Sequence, residues 1–232
     1  MYRPPFITNE IYHIYNRGVE KRDICMDDHD RYRFIHDLFE FNDTSSAINN
    51  GYYFKIQGSH KDVNKPIKNE ARDFLVDILA FCIMPNHYHL LLRQKADGGI
   101  TNFMRKFGTG YTNSFNKKHE RVGPLFQGKF KAKHVKEDAY LYYLPHYIHL
   151  NPLDMYMPEW REKGIADHKK ALEYLASYRW SSYLDYIGKK NIPSVTQREV
   201  IMKLFNGTTG YKKKMDEWMR HLTSKDISLF HY

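Results

Sequence analysis

The chain has 232 residues, enough for one large domain or a domain with an appendage. Its 42% hydrophobic and 27% charged residues are those of a globular protein and exclude a disordered or fibrous one. Lys and Arg number 36 against 27 Asp and Glu, a net charge of +9, and aromatics make up 16%; that pairing suits a polyanion with stackable bases, although a basic surface around an aromatic core fits the composition equally well.

In chain order, residues 9–16 (NEIYHIYN) alternate with period two and predict a first strand, with Ile11, His13 and Tyr15 on one face, closed by Arg17-Gly18. From Asp27 to Asn42, Tyr32, Ile35, Leu38 and Phe39 follow helical spacing behind acidic residues that suit a helix start. Residues 43–72, rich in Ser, Asn, Gly and Lys around Tyr52–Ile56, read as a flexible insert holding one short strand. The runs 74–84 and 87–94, joined through Met-Pro-Asn, predict an antiparallel hairpin in mid-sheet. Phe103, Phe107, Tyr111 and Phe115 recur every fourth residue, an amphipathic helix over 100–119 expected to break or bend near Gly108 and Gly110. Basic loop and strand material follows, then a helix from Glu137 to about Leu150, stopped by Asn151-Pro152. RWSSY (179–183) is expected to pack a structural helix, and helical patterns at 196–205 and 209–222 close the chain. Strands and helices alternate without a parallel-sheet rhythm, so the expected class is α+β with an antiparallel sheet.

Several function classes fall away. The longest mostly apolar run, Phe74–Met84, is interrupted by Asp77 and is far short of the roughly 20 residues of a membrane span. MYRPPFITNE lacks the apolar region of a secretory signal, and a cytoplasmic protein is expected. Cys25 and Cys82 alone support neither a disulfide framework nor a cysteine zinc module. A G-x-x-x-x-G-K-[ST] loop is missing from the sequence, so the chemistry is expected to run without ATP.

The residues that point to chemistry lie in two places. His87-Tyr88-His89 begins a strand, so both imidazoles project from one face and can share a metal ion, while Tyr88 points the other way. An isolated H-x-H is more often a pair of half-buried sheet histidines. In the helix before Pro152, Tyr147 and Asn151 share a face, setting a phenol beside an amide oxygen able to join such a metal site. Tyr140, Tyr143 and Tyr147 form a stripe that core packing explains as readily.

MPNHYHLLL (84–92) and YIHLNP (147–152) together resemble the single-tyrosine HUH transposases of the IS200-like family, and within them the REP-associated tyrosine transposase branch. YNRG (15–18), FNKKHERVGPLFQGKFKAKHV (115–135) and RWSSY fit the same branch, so the resemblance covers about residues 9–187. It implies a ferredoxin-like sheet in an HUH domain over 1–187, with residues 188–232 left as a C-terminal helical extension. It further implies Mg²⁺ or Mn²⁺ held by His87 and His89, with Asn151 where related insertion-sequence enzymes carry a glutamine that reaches the metal. Tyr147 matches the nucleophile that attacks single-stranded, hairpin-associated DNA, giving a 5′-phosphotyrosine and a free 3′-hydroxyl. One phosphoester replaces another, so rejoining needs no ATP. The resemblance allows a monomer or a homodimer.

Charge supports a nucleic-acid partner. Residues 101–140 carry nine basic against three acidic residues, interleaved with aromatics. The expected DNA contacts are Arg105, Lys106, Tyr111, Lys117, Lys118, Arg121, Phe126, Lys129, Lys131 and Lys133, with Arg17 a lesser candidate. Two other readings compete: a non-catalytic module binding structured nucleic acid on the same fold, and a zinc hydrolase, which lacks an H-E-x-x-H or comparable three-ligand spacing.

Overall fold

The computed structural model describes residues 5–45 and 72–221. The expected insert over 43–72, apart from residues 43–45 and 72, lies outside the described residues, as does its short strand at Tyr52–Ile56.

Strand β1 (Ile11–Arg17) is followed by α1 (Asp28–Glu40), β2 (Val76–Ile83), β3 (His87–Gln94), α2 (Gly99–Lys118) and β4 (Lys131–His134). The four strands form one antiparallel sheet in the order β2-β3-β1-β4, the βαββαβ arrangement of a ferredoxin-like fold. The mixed α+β class is as expected. In register, Tyr15 lies opposite His89 on one side and Lys131 on the other, and Arg17 lies opposite His87.

The pleat sorts β1 and β3 onto two faces. Tyr12, Ile14, Tyr88, Leu90 and Leu92 point into a core closed by α1 and α2. The α1 start is capped by Asp27, whose carboxylate accepts from the Asp30 amide at 2.9 Å, and the helix buries Phe34 and Leu38. The α2 stripe of Phe103, Phe107, Tyr111 and Phe115 meets Phe34 and Tyr88 edge-on. Contrary to the sequence expectation, α2 runs unbroken through both glycines. Gly110 lies where Phe41 approaches the helix so closely that a Cβ would collide with its ring. The close approach, not a bend, is what that position serves.

The opposite face is covered by α3 (Asp138–Leu150), which is buried from Leu144 onward because it lies between the sheet and the C-terminal helices. After α3 come α4 (Leu153–Tyr156), α5 (Trp160–Lys163), α6 (His168–Ser177), α7 (Tyr183–Tyr186), α8 (Glu199–Leu204) and α9 (Gly207–His221). His146 of α3 stacks on Tyr211 of α9 at 4.4 Å between centroids. His149 hydrogen-bonds Tyr211 through Nδ1 at 2.6 Å and Ser182 through Nε2 at 2.7 Å, so α3 is tied to α9 and to the RWSSY segment at once.

RWSSY packs on α3 through Ser182 and Tyr183 and also lies along a strand edge. Trp180 and Ser182 pair with the outer edge of β2, through Ile83 N to Trp180 O at 2.9 Å and Ser182 N to Phe81 O at 3.0 Å. The rest of that edge is also hydrogen-bonded. Asn42 exchanges two bonds with Val76, Gln197 does the same with Ile78, and the Tyr186 hydroxyl donates to Leu79 O. A register shift between Ile78 and Ala80 turns both Leu79 and Ala80 toward the α3 face, which returns Cys82 to that face and Phe81 to the other.

Candidate active site

On the α3 face, the same pleat that buries Tyr12, Ile14 and Tyr88 brings His13, Tyr15, His87 and His89 together under Tyr147. His87 and His89 stand with centroids 5.2 Å apart, and the Tyr147 ring lies 5.9 Å from His89 and 6.3 Å from His13, edge-on to both. A cleft of about 580 Å³ opens here, with Tyr15, Arg17, His87, Lys131, Tyr147 and Arg161 among its walls.

The hydrogen bonds on the far side of each imidazole decide what it offers the cleft. Asn86 Oδ1 sits 2.7 Å from His87 Nδ1; a carbonyl oxygen only accepts, so Nδ1 carries the proton and Nε2 keeps its lone pair. His89 Nδ1 is 2.9 Å from His13 Nε2, within the buried face. When His89 donates this bond, its Nε2 lone pair is likewise available. Burial lowers the pKa of His87 to about 4, that of His13 to about 3, and that of His89 well below its ordinary value, so all three are neutral near pH 7. Two neutral imidazoles with their Nδ1 sides anchored are the donors a divalent transition metal or Mg²⁺/Mn²⁺ site draws on, and the residues fit such an ion.

Tyr147 is only 4% exposed, and burial raises its pKa, with the Arg161 guanidinium pulling the other way. Asn151 ends α3: its amide donates to Tyr147 O at 2.9 Å and Ile148 O at 3.2 Å, while its Oδ1 accepts from Arg161 at 3.0 Å. The residue read as a third metal ligand therefore lines the cleft with its oxygen engaged by Arg161.

Residues 51–151 match the family model described as "Transposase IS200 like". Over that stretch the chain resembles the IS200-like transposases. The matched segment spans H-x-H, Tyr147 and Asn151. A solved structure titled "Structure of the REP associates tyrosine transposase bound to a REP hairpin" aligns with 83% of this chain and 88% of its own, at 13% identity and a TM-score of 0.49. Comparison with curated proteins gives no match.

The expected DNA contacts separate into distinct places. Arg17 and Lys131 line the histidine cleft. Arg105, Phe126 and Lys129 line a second groove of about 600 Å³ between α2 and the 124–130 loop. Lys117 is exposed on α2, and Lys133 lies 4.5 Å over the Tyr140 ring. Tyr111 is 1% exposed and cannot stack on a base: its hydroxyl donates to Ile24 O inside the apolar core. Lys106 donates to the carbonyls of Asp43 and Ser45, and Lys118 bonds Asp27 and Asp30, so these two cations close local structure. Arg121 bonds Asn116. Asp27, His29 and Asp30 form an acidic cluster at the start of α1, away from the H-x-H pair and already bonded by Lys118 and His119.

Three site residues were not picked out from sequence. His13 and Tyr15 were readable as face-mates on β1, but only the register sets them against His89. Arg161 lies in a mixed-charge stretch with no periodic signal. Among the other tyrosines of the stripe, Tyr143 is 44% exposed and packs beside Trp218 of α9.

Proposed function

We propose that this protein cuts and rejoins single-stranded, hairpin-associated DNA, with Tyr147 as nucleophile. The carrying observation is the pair of neutral imidazoles at the cleft, His89 with its ring 5.9 Å from that of Tyr147 and His87 5.2 Å from His89. His87 and His89 would hold Mg²⁺ or Mn²⁺; the Asn151 oxygen, read from sequence as a further donor, is taken by Arg161. Bound there, the ion supplies Lewis-acid polarisation of the scissile phosphate and stabilises its developing charge.

The protein's own residues supply the rest. The Tyr147 oxygen forms a bond to phosphorus as the P–O3′ bond breaks; the phenol proton is released, and the leaving oxygen gains one to become a 3′-hydroxyl. The 5′-phosphotyrosine keeps the phosphoester, so attack by a 3′-hydroxyl rejoins the strand without ATP. Arg17 and Lys131, which line the cleft, and Arg105 and Lys129, which line the second groove, would meet the phosphate backbone. Residues 1–187 form the transposase domain in this reading, with 188–232 an extension whose α8 and α9 brace α3 from behind.

Incubating the full chain with Mn²⁺ and a hairpin-bearing single strand labelled at its 3′ end tests this. A denaturation-resistant adduct is expected that disappears in Tyr147→Phe and survives in Tyr15→Phe; the reverse pattern would make Tyr15, which shares the cleft, the nucleophile. The depth of Tyr147 favours a second reading, a module that binds structured nucleic acid without cutting it. Tight hairpin binding with no adduct under either metal would select that one.

A further inference from the structure

Arg161 reaches the site from α5, a four-residue helix outside the segment that matches the transposase family model. Its side chain is 15% exposed and is held as a fork: Nε donates to Asp154 Oδ1 at 2.8 Å and Nη2 to Asp154 Oδ2 at 2.9 Å. Asp154 is fixed in turn by the Trp160 indole N–H at 2.7 Å. The same Nη2 donates to Asn151 Oδ1, and Asn151 holds the carbonyl of Tyr147. The guanidinium carbon lies 5.3 Å from the centre of the Tyr147 ring. The guanidinium also acts on the Tyr147 phenol, lowering its pKa against the effect of burial.

We infer that Arg161 is the positioning residue for the nucleophile, fixing Tyr147 through its ring and, by way of Asn151, through its backbone. This rests on the reading of Tyr147 given above. Asp154 neutralises most of the guanidinium charge, so the contribution is orientation and not a bare positive charge for DNA. A fork bonded to two partners beside an aromatic face is a task that lysine's single ammonium does not perform. Asp154→Asn, which weakens the fork while leaving Arg161 in place, belongs to the same unit.

The test is single-turnover adduct formation by the full chain with Mn²⁺, measured beside the dissociation constant for the same hairpin strand. Arg161→Lys and Arg161→Ala are expected to lose on the order of 10²-fold in rate while hairpin affinity changes by less than about threefold. Asp154→Asn should follow in the same direction. Methylguanidine added to Arg161→Ala should restore part of the rate, a rescue that general loss of folding would not show; circular dichroism and melting curves identify any variant that fails to fold. Rates that stay within about threefold of the parent overturn the assignment, as does a fall in affinity matching the fall in rate, which would make Arg161 a DNA contact. Tyr147→Phe in the same assay separates the two readings. If the adduct survives that change, the nucleophile is wrong; if it is lost there but persists in Arg161→Ala, only the Arg161 assignment fails.

Discussion

On β3, Tyr88 and Leu90 point toward α1 and α2, while His87 and His89, alternating with them along the chain, point toward α3. The first face is an apolar aromatic core in which Phe34 meets Tyr88, Phe107 and Tyr111 edge to face. The second holds three neutral histidines, two tyrosines and a half-buried Arg–Asp pair. Period-two alternation lets one strand serve both: residues that hold the sheet and residues available for chemistry are interleaved in sequence and segregated in space. The α3 face is itself buried at one end, where Ile148, Leu150 and Leu153 seal it, and polar toward the cleft.

Substitutions on either side can break this division. Phe34→Ala, at a fully buried ring, should cost about 3–5 kcal/mol, read as a marked fall in melting temperature. His87→Ala, at a partly buried ring on the other face, should abolish metal-dependent adduct formation with little change in melting temperature. Equal melting losses would mean that the histidine face is as structural as the aromatic one.

A smaller effect isolates His13. Its Nε2 must accept from His89 Nδ1 if His89 is to present Nε2 to a metal, so His13→Leu should weaken Mn²⁺ binding about 10- to 100-fold, measured by titration with paramagnetic resonance detection. His13→Gln, whose amide oxygen still accepts, should lose less. Unchanged affinity in His13→Leu would remove the tautomer anchor.

The mildest test is pH. Burial lowers the pKa of His13 to about 3 and of His146 to about 4, whereas in the unfolded chain both titrate near 6.5. As pH falls below that value the unfolded state binds protons that the native state refuses, so stability is full above about 6.5 and is lost toward 4 and 3. Each such group removes at most about 1.4 kcal/mol between pH 6.5 and 5.5. Melting temperatures of the metal-free chain should decline through that interval, and His146→Phe should flatten part of the slope; a level profile would contradict the burial argument.

Much of this was legible in the sequence. Alternation placed β1 and β3, four-residue spacing placed α2, and Asn151-Pro152 marked the end of α3. Periodicity set the two histidines on one strand face and Tyr147 with Asn151 on one helix face, and the resemblance to the IS200-like family is what singled them out. Local signals could not show Lys106 bonding carbonyls near the end of α1, Tyr111 sinking into the core, or Arg161 returning from a short helix to Asn151, since each depends on contacts between segments distant in the chain. The unbroken α2 has the same cause: a glycine costs about 1 kcal/mol in a helix, and the aromatic stripe packed along α2 outweighs it.

The hydrogen-bonded margin of β2 has a consequence for assembly. A bare edge strand is a template on which another chain can add its own strand. Here Asn42, Trp180, Ser182, Tyr186 and Gln197 occupy the outward-facing groups from Val76 to Ile83. A second copy cannot extend the sheet on that side without displacing them. Growth by strand addition is left to the β4 side, a four-residue strand that carries Lys131 and Lys133 and so repels an identical neighbour. Among the described residues, the two margins of the sheet thus differ: one is closed by hydrogen bonds and the other is guarded by charge.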